Sequence, residues 1–228
     1  MVKLEYKIGD YLELMKDIPD NSVDLVLTDP PYGINIKGKV GGDKPFGNTR
    51  KKHTSKNVCE AVEHIEFDDS CTSDKIVFEE MFRISKNQII FGGNYFIEHL
   101  QNSPCWIVWD KDNSGNFADC ELAWTSFNTA VRKFKFRWNG MLQEDMKNKE
   151  ERVHPTQKPI ALFKWILENY SREGDLICDP FLGSGTTLRA SRETNRNCIG
   201  FEKEPKYEAL IRKRAMLDTP DITTYGSD

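Results

Sequence analysis

The sequence predicts an α/β fold, with a largely parallel sheet covered by helices on both faces. Two observations carry this. Short strand-like apolar runs alternate with helical patterns along the chain. Four of those runs end in an acid, at the edge where open parallel sheets bind ligands. The 228 residues, 38% hydrophobic and 30% charged, suit one α/β domain with a full core and a highly charged surface.

Taken in order, a first strand at 4–8 runs into Gly9-Asp10 and a helix at 11–16. The apolar run 23–28 is a second strand, and it stops at TDPPYG. Residues 33–57 are rich in Gly, Lys and Asn without periodicity, which predicts a long functional or disordered loop. A helix follows at 71–84, a strand at 88–91 ending in the glycine turn FGGN, and a helix at 94–100. Strands are expected at 106–109 and 131–138. At 160–170, Leu162, Phe163, Ile166, Leu167 and Tyr170 share one helical face. Strands at 176–178 and 198–201 alternate with helices at 186–194 and 206–217, and the tail 218–228 reads as disordered.

Composition excludes several classes. No apolar stretch approaches the ~20 residues of a membrane span, and the N-terminal MVKLEYKIGD lacks a signal-peptide core, so the expected compartment is the cytoplasm. Six cysteines show no CxxC pair, which speaks against a zinc site or disulfide framework. The net charge of −4 does not advertise a nucleic-acid binder, yet it conceals two basic stretches. One is the 37–56 loop, with Lys37, Lys39, Arg50, Lys51 and Lys52 among its cations. The other is VRKFKFRW, which read at period two places Lys133, Lys135 and Arg137 on one face and Phe134, Phe136 and Trp138 on the other.

The acids at the strand ends are Asp10, Asp29, Asp179 and Glu202. Each one alone is as well explained as a helix cap; four together suggest a shared crevice. In CDPFLGSGTTLRA, a short strand enters Gly183-Ser184-Gly185 and then a helix near Thr186. A P-loop would need a lysine that is missing, and a dinucleotide fingerprint would need glycine where Leu188 stands. A nucleoside ligand without pyrophosphate remains, with Glu202 placed to accept from both ribose hydroxyls. That combination fits S-adenosylmethionine better than ATP.

TDPPY at 28–32, HPTQKP at 154–159 and DPFLGSGTT at 179–187 together resemble the amino-group DNA methyltransferases. The order, tetrapeptide first and cofactor glycines last, is similar to their permuted β group, and the resemblance covers nearly the whole chain. It implies a Rossmann-like methyltransferase fold, a mostly parallel seven-stranded sheet with one antiparallel strand. It further implies one catalytic domain over 1–228, with a DNA-facing loop at 33–57 and a short target-recognition segment at 131–153. Asp179, Phe181, Gly183, Ser184 and Gly185 would form the cofactor turn. Thr186 and Thr187 would lie beside the methionine end, Glu202 at the ribose and Asp10 at the adenine amino group. His154, Thr156, Gln157, Lys158 and Pro159 would pack along the methionine, although Pro159 also suits a helix entry.

The tetrapeptide makes chemical sense for an exocyclic amine, whose lone pair is delocalised into its ring. The Asp29 carboxylate and the Pro30 carbonyl can each accept one N–H, Pro30 and Pro31 stiffen the turn, and Tyr32 can stack on the base. Such a base must be flipped out of double-stranded DNA. Phosphate contacts are expected from the two basic stretches and base reading from Asn139, Gln143 or Lys147. Within the resemblance, an acid in the first position leans toward adenine N6 and a serine toward cytosine N4. RNA and protein-glutamine methyltransferases usually place the glycine motif first. No metal is expected, and a homodimer is common in the resembling group.

Overall fold

A computed structural model describes residues 2–33, 74–112, 118–139, 142–151 and 157–217. Strand β1 (Leu4–Ile8) leads to helix α1 (Tyr11–Lys16), then β2 (Val23–Thr28), α2 (Lys75–Ile84) and β3 (Ser85–Phe91). Next come β4 (Trp106–Asp110), β5 (Cys120–Thr125) and β6 (Arg132–Lys135). A two-strand ribbon, β7 (Trp138–Asn139) with β8 (Leu142–Gln143), precedes α3 (Ile160–Tyr170). The chain then runs through β9 (Leu176–Asp179), α4 (Thr186–Glu193), β10 (Asn197–Glu202) and α5 (Glu208–Arg214).

The main sheet has the order β1-β10-β9-β2-β3-β5-β4-β6, eight strands rather than the seven expected. Only β5 runs against its neighbours, as expected of a mostly parallel sheet with one antiparallel strand. The extra member is β5 itself, absent from the sequence reading because it opens on the exposed Cys120 and the polar Glu121.

Period-two alternation sends side chains to two cores. Leu25, Leu27, Ile89 and Phe91 face α3, α4 and α5, which contribute Leu162, Phe163, Ile166, Leu188 and Ile211. Val26, Ile90, Cys178 and Phe201 face α1 and α2, which contribute Met15, Val77, Phe78 and Met81. Burial of each such side chain stabilises the fold by about 1.5–3 kcal/mol before entropy is counted.

Two other expectations need correction. The strand at 131–138 breaks after Lys135, and Trp138 starts the separate ribbon, where its indole donates to the Gln157 carbonyl at 3.1 Å. The aromatics nonetheless pack inward, Phe134 against Trp165 of α3 at 5.3 Å. The helix at 94–100 is instead two 3₁₀ turns, Gly93–Tyr95 and Ile97–His99, because Gly92 turns the chain at φ +67°. The loop at 33–57 lies outside the described residues except for Gly33, and so does the 218–228 tail.

Candidate active site

Strands β2 and β9 are parallel neighbours, with Leu25 opposite Ile177 and Val26 opposite Cys178. The chain leaves them in opposite directions, β9 through α4 to β10 and β2 through α2 to β3. Their carboxyl ends therefore form a topological switch point, the usual place for a ligand crevice in an open α/β sheet. It brings the TDPPY turn beside the glycine turn. Thr28 donates to Asp179 Oδ1 at 2.7 Å, which joins the two motifs directly.

The glycine turn is held by acids. Asp179 is buried and accepts from Thr28, from the Phe181 amide at 3.1 Å and from the Thr187 hydroxyl. Burial lifts its carboxyl to about pKa 6, against the pull of those donors. Asp179 and Thr187 thus brace the turn from within. Glu202 accepts from the Gly183 amide at 2.9 Å and the Glu204 amide at 2.8 Å, and burial raises its pKa against the pull of those two amides. Gly183 and Gly185 adopt φ +53° and +84°, which side chains rarely tolerate. A Cβ on Gly183 would meet nothing nearer than the Phe181 carbonyl at 4.0 Å, so the turn presents bare backbone and open space beside Glu202. Phe181 packs on Tyr11 at 4.5 Å. This open turn with an acid at its side fits the nucleoside half of S-adenosylmethionine.

Other expected cofactor residues fall in varied places. Asp10 caps α1, its Oδ1 accepting from the Leu12 amide at 2.9 Å and the Glu13 amide at 3.4 Å, so the helix-cap reading of this acid holds. Ser184 and Thr186 both accept from Arg214, which also reaches Glu150 at 3.3 Å. Buried Gln157 donates to the Glu151 carbonyl at 3.2 Å. His154 and Thr156 lie outside the described residues.

At the end of β2, Asp29 keeps 20% of its side-chain surface exposed. Tyr32 donates to its Oδ1, and the Lys158 ammonium donates to its Oδ2 at 2.5 Å. Desolvation pushes the Asp29 pKa up; Lys158 pulls it back, and Glu121 pushes it up again. Pro30 is buried. The Tyr32 ring stacks on Tyr95 at 5.0 Å and meets the Phe96 edge at 6.0 Å. Gly92 makes this possible, since a Cβ there would fall 2.2 Å from Tyr32 Cε1. FGGN therefore flanks the TDPPY pocket.

Sequence reasoning missed three residues here. Glu121 of β5 lies 3.1 Å from the Lys158 ammonium and also pairs with Lys111. Tyr95 supplies the aromatic face over Tyr32. Arg214 braces the glycine turn. Only Tyr95 had a local signal, its place just after FGGN.

The expected DNA contacts on β6 and beyond are largely neutralised. Lys133 pairs with Asp110 at 3.3 Å, and Lys135 and Arg137 both pair with Asp112. Lys37, Lys39, Arg50, Lys51, Lys52 and the Asn139 side chain lie outside the described residues. Among the described residues no cluster of His, Cys, Asp or Glu could hold a metal ion, and no helix is long and apolar enough to cross a membrane.

Comparison with known proteins points the same way. A family model for N6/N4 DNA methylases matches residues 23–213. The type II methyltransferase M.HinfI of Haemophilus influenzae is 29% identical over 90% of this chain, which spans only 66% of that protein. The type II methyltransferase M2.MboI of Moraxella bovis is 25% identical over 93% of this chain and 87% of its own length. The crystal structure of the M1.HpyAVI–SAM complex superposes with a TM-score of 0.55 at 22% identity, covering 92% of this chain and 99% of that one.

Proposed function

The chain belongs to the N6/N4 DNA methylase family, and we propose that it transfers a methyl group from S-adenosylmethionine to the N6 amino group of adenine in double-stranded DNA. The observation that carries this reading is the joining of two motifs at one switch point. The Asp29–Tyr32 turn, built to accept from an amine, is bonded through Thr28 to the turn that presents Gly183 and Gly185.

Phe181, Gly183, Ser184, Gly185, Thr186 and Glu202 would hold the cofactor, with Asp10, His154, Thr156 and Gln157 at its edges. Bound there, S-adenosylmethionine supplies an electrophilic sulfonium methyl. Asp29 accepts one N–H of the target and the Pro30 carbonyl accepts the other. Both acceptors draw the nitrogen toward tetrahedral geometry and free its lone pair. Asp179 and Thr187 keep the two turns in register. Positioning and local electrostatics supply most of the acceleration.

A base within a duplex must leave the stack to reach Asp29, at a cost of a few kcal/mol. The Tyr32 ring offers a surface for it. The loop at 33–57, through Lys37, Lys39, Arg50, Lys51 and Lys52, would grip phosphate, and 131–153 would contribute recognition through Asn139. Lys133, Lys135 and Arg137 would first exchange their acidic partners for phosphate. We place the protein in the cytoplasm, as one catalytic domain. A second copy of the chain would extend the recognition surface.

The test is direct. The protein is incubated with methyl-labelled S-adenosylmethionine and duplex DNA, RNA or protein, and the modified product is identified after digestion. N6-methyldeoxyadenosine is expected. N4-methyldeoxycytidine from the DNA would move the reading to the cytosine amine, and no labelled DNA would overturn it. Asp29→Ala should bind cofactor as before and lose transfer.

A further inference from the structure

Both carboxylate oxygens of Asp29 are taken by donors of the protein itself, Tyr32 on Oδ1 and Lys158 on Oδ2. A target amine needs one of them. Each carboxylate oxygen can accept a second hydrogen bond, so a target N–H competes with the Lys158 ammonium for Oδ2 and is bound best when that ammonium shifts aside.

The neighbourhood shows where it goes. Glu121 projects from antiparallel β5 with Oε1 paired to Lys111 and Oε2 only 3.1 Å from the Lys158 nitrogen. That Oε2 is buried, and no hydrogen bond is directed at it. It has charge contact with Lys158 and spare acceptor capacity. The ring faces of Phe91 and Tyr32 lie 5.3 and 5.8 Å from the same ammonium, so its path is lined by surfaces that tolerate a cation. A buried ammonium displaced from its only partner would cost several kcal/mol; a second carboxylate in reach removes most of that cost.

We propose that Glu121 is a positioning residue for methyl transfer, a second seat to which Lys158 shifts when the target amine displaces it from Asp29. Lys158 then acts as a stand-in for the substrate. It fills the amine seat in the resting enzyme and moves aside without leaving the site. From the Glu121 seat it still faces Asp29, which keeps the acceptor ionised. The inference rests on the amino-methyltransferase reading of the Asp29 turn.

The test uses Glu121→Gln with wild type alongside, comparing the pH profile of single-turnover methyl transfer to DNA and the affinity for S-adenosylhomocysteine. The titratable groups facing Asp29 are Tyr32, Lys158 and Glu121, with Asp179 behind; Tyr95 lies beyond Tyr32 and Lys111 beyond Glu121. The expected result has three parts. The plateau rate falls at least tenfold, because Lys158 stays on Asp29. The acid limb moves to lower pH, because Asp29 keeps the cation and loses a neighbouring negative charge. Affinity for S-adenosylhomocysteine is unchanged. An unchanged plateau, a lower plateau with an unmoved acid limb, or a loss of cofactor affinity would each overturn the proposal. Should Glu121→Gln not fold, Glu121→Asp keeps the charge but withdraws the seat by one methylene. It should lower the plateau with cofactor affinity intact, and full activity would overturn the idea. Wild type that methylates no DNA would instead overturn the underlying function.

Discussion

The hydroxyl of Thr28 donates to the carboxylate of Asp179 at 2.7 Å, across 151 residues of sequence. Thr28 precedes Asp29 of the turn proposed to bind the amine; Asp179 opens the turn proposed to hold the cofactor. The bond is wholly buried, so water cannot replace it. On the proposed function, the geometry between methyl donor and acceptor depends on this contact, which belongs to neither ligand.

Thr28→Val keeps the shape and removes that donor. Asp179 retains Thr187 and the Phe181 amide, so the loss is partial. Unfolding free energy should fall by about 1–3 kcal/mol, read from the urea midpoint. Transfer should slow more than cofactor affinity falls, since register is disturbed rather than the turn itself. Unaltered stability would show that the pairing carries no weight.

The raised pKa of Asp179, about 6, makes a separate prediction. The folded state holds this proton more tightly than the unfolded chain, where the carboxyl ionises near 4. Its contribution is fully present below about pH 4 and is lost as pH rises through about 6. Two pKa units correspond to about 3 kcal/mol as an upper figure. Asp179→Asn stays neutral, so the difference in stability between variant and wild type should shift in favour of the variant by about 2–3 kcal/mol between pH 4 and pH 7. A pH-independent difference would mean that Asp179 titrates as an ordinary acid.

Gly92→Ala probes the pocket wall. The new Cβ would overlap the Tyr32 ring, and φ +67° adds backbone strain. Tyr32 must leave Tyr95 and loosen its bond to Asp29. Transfer should drop at least tenfold while S-adenosylhomocysteine affinity holds, because the glycine turn lies across the switch point on β9. Equal losses in both would place Gly92 in the cofactor site.

Much of this was legible because the chemistry is local in sequence. Apolar runs at β2, β9 and β10 end in their acids, and the glycines follow directly. The acids' separate jobs were not legible. Asp179 and Glu202 look alike in sequence, yet one accepts from two side-chain hydroxyls, Thr28 and Thr187, as well as an amide, and the other accepts from the Gly183 and Glu204 backbone amides. Glu121 was invisible for a different reason. Its strand reads as polar at the start, and its importance comes from antiparallel pairing that brings β5 against the carboxyl end of β3. Lys158 was found, but along the cofactor; only the folded chain shows it on Asp29.

Glu202→Gln tests the cofactor side alone. The Gly183 and Glu204 amides both donate to this carboxylate, and burial already disfavours its charge. Glutamine offers one carbonyl oxygen, so one amide would face the NH₂ group. That mismatch opens the glycine turn, and a neutral amide accepts ribose hydroxyls less well than a carboxylate does. Cofactor affinity should fall about 10- to 100-fold, equivalent to about 1.4–2.8 kcal/mol, measured by calorimetry with S-adenosylhomocysteine. At saturating cofactor the transfer rate should recover to within a few-fold of wild type, because Asp29, Tyr32 and Lys158 are untouched. A rate that stays depressed at saturation would move Glu202 from holding the cofactor to aligning it with the amine.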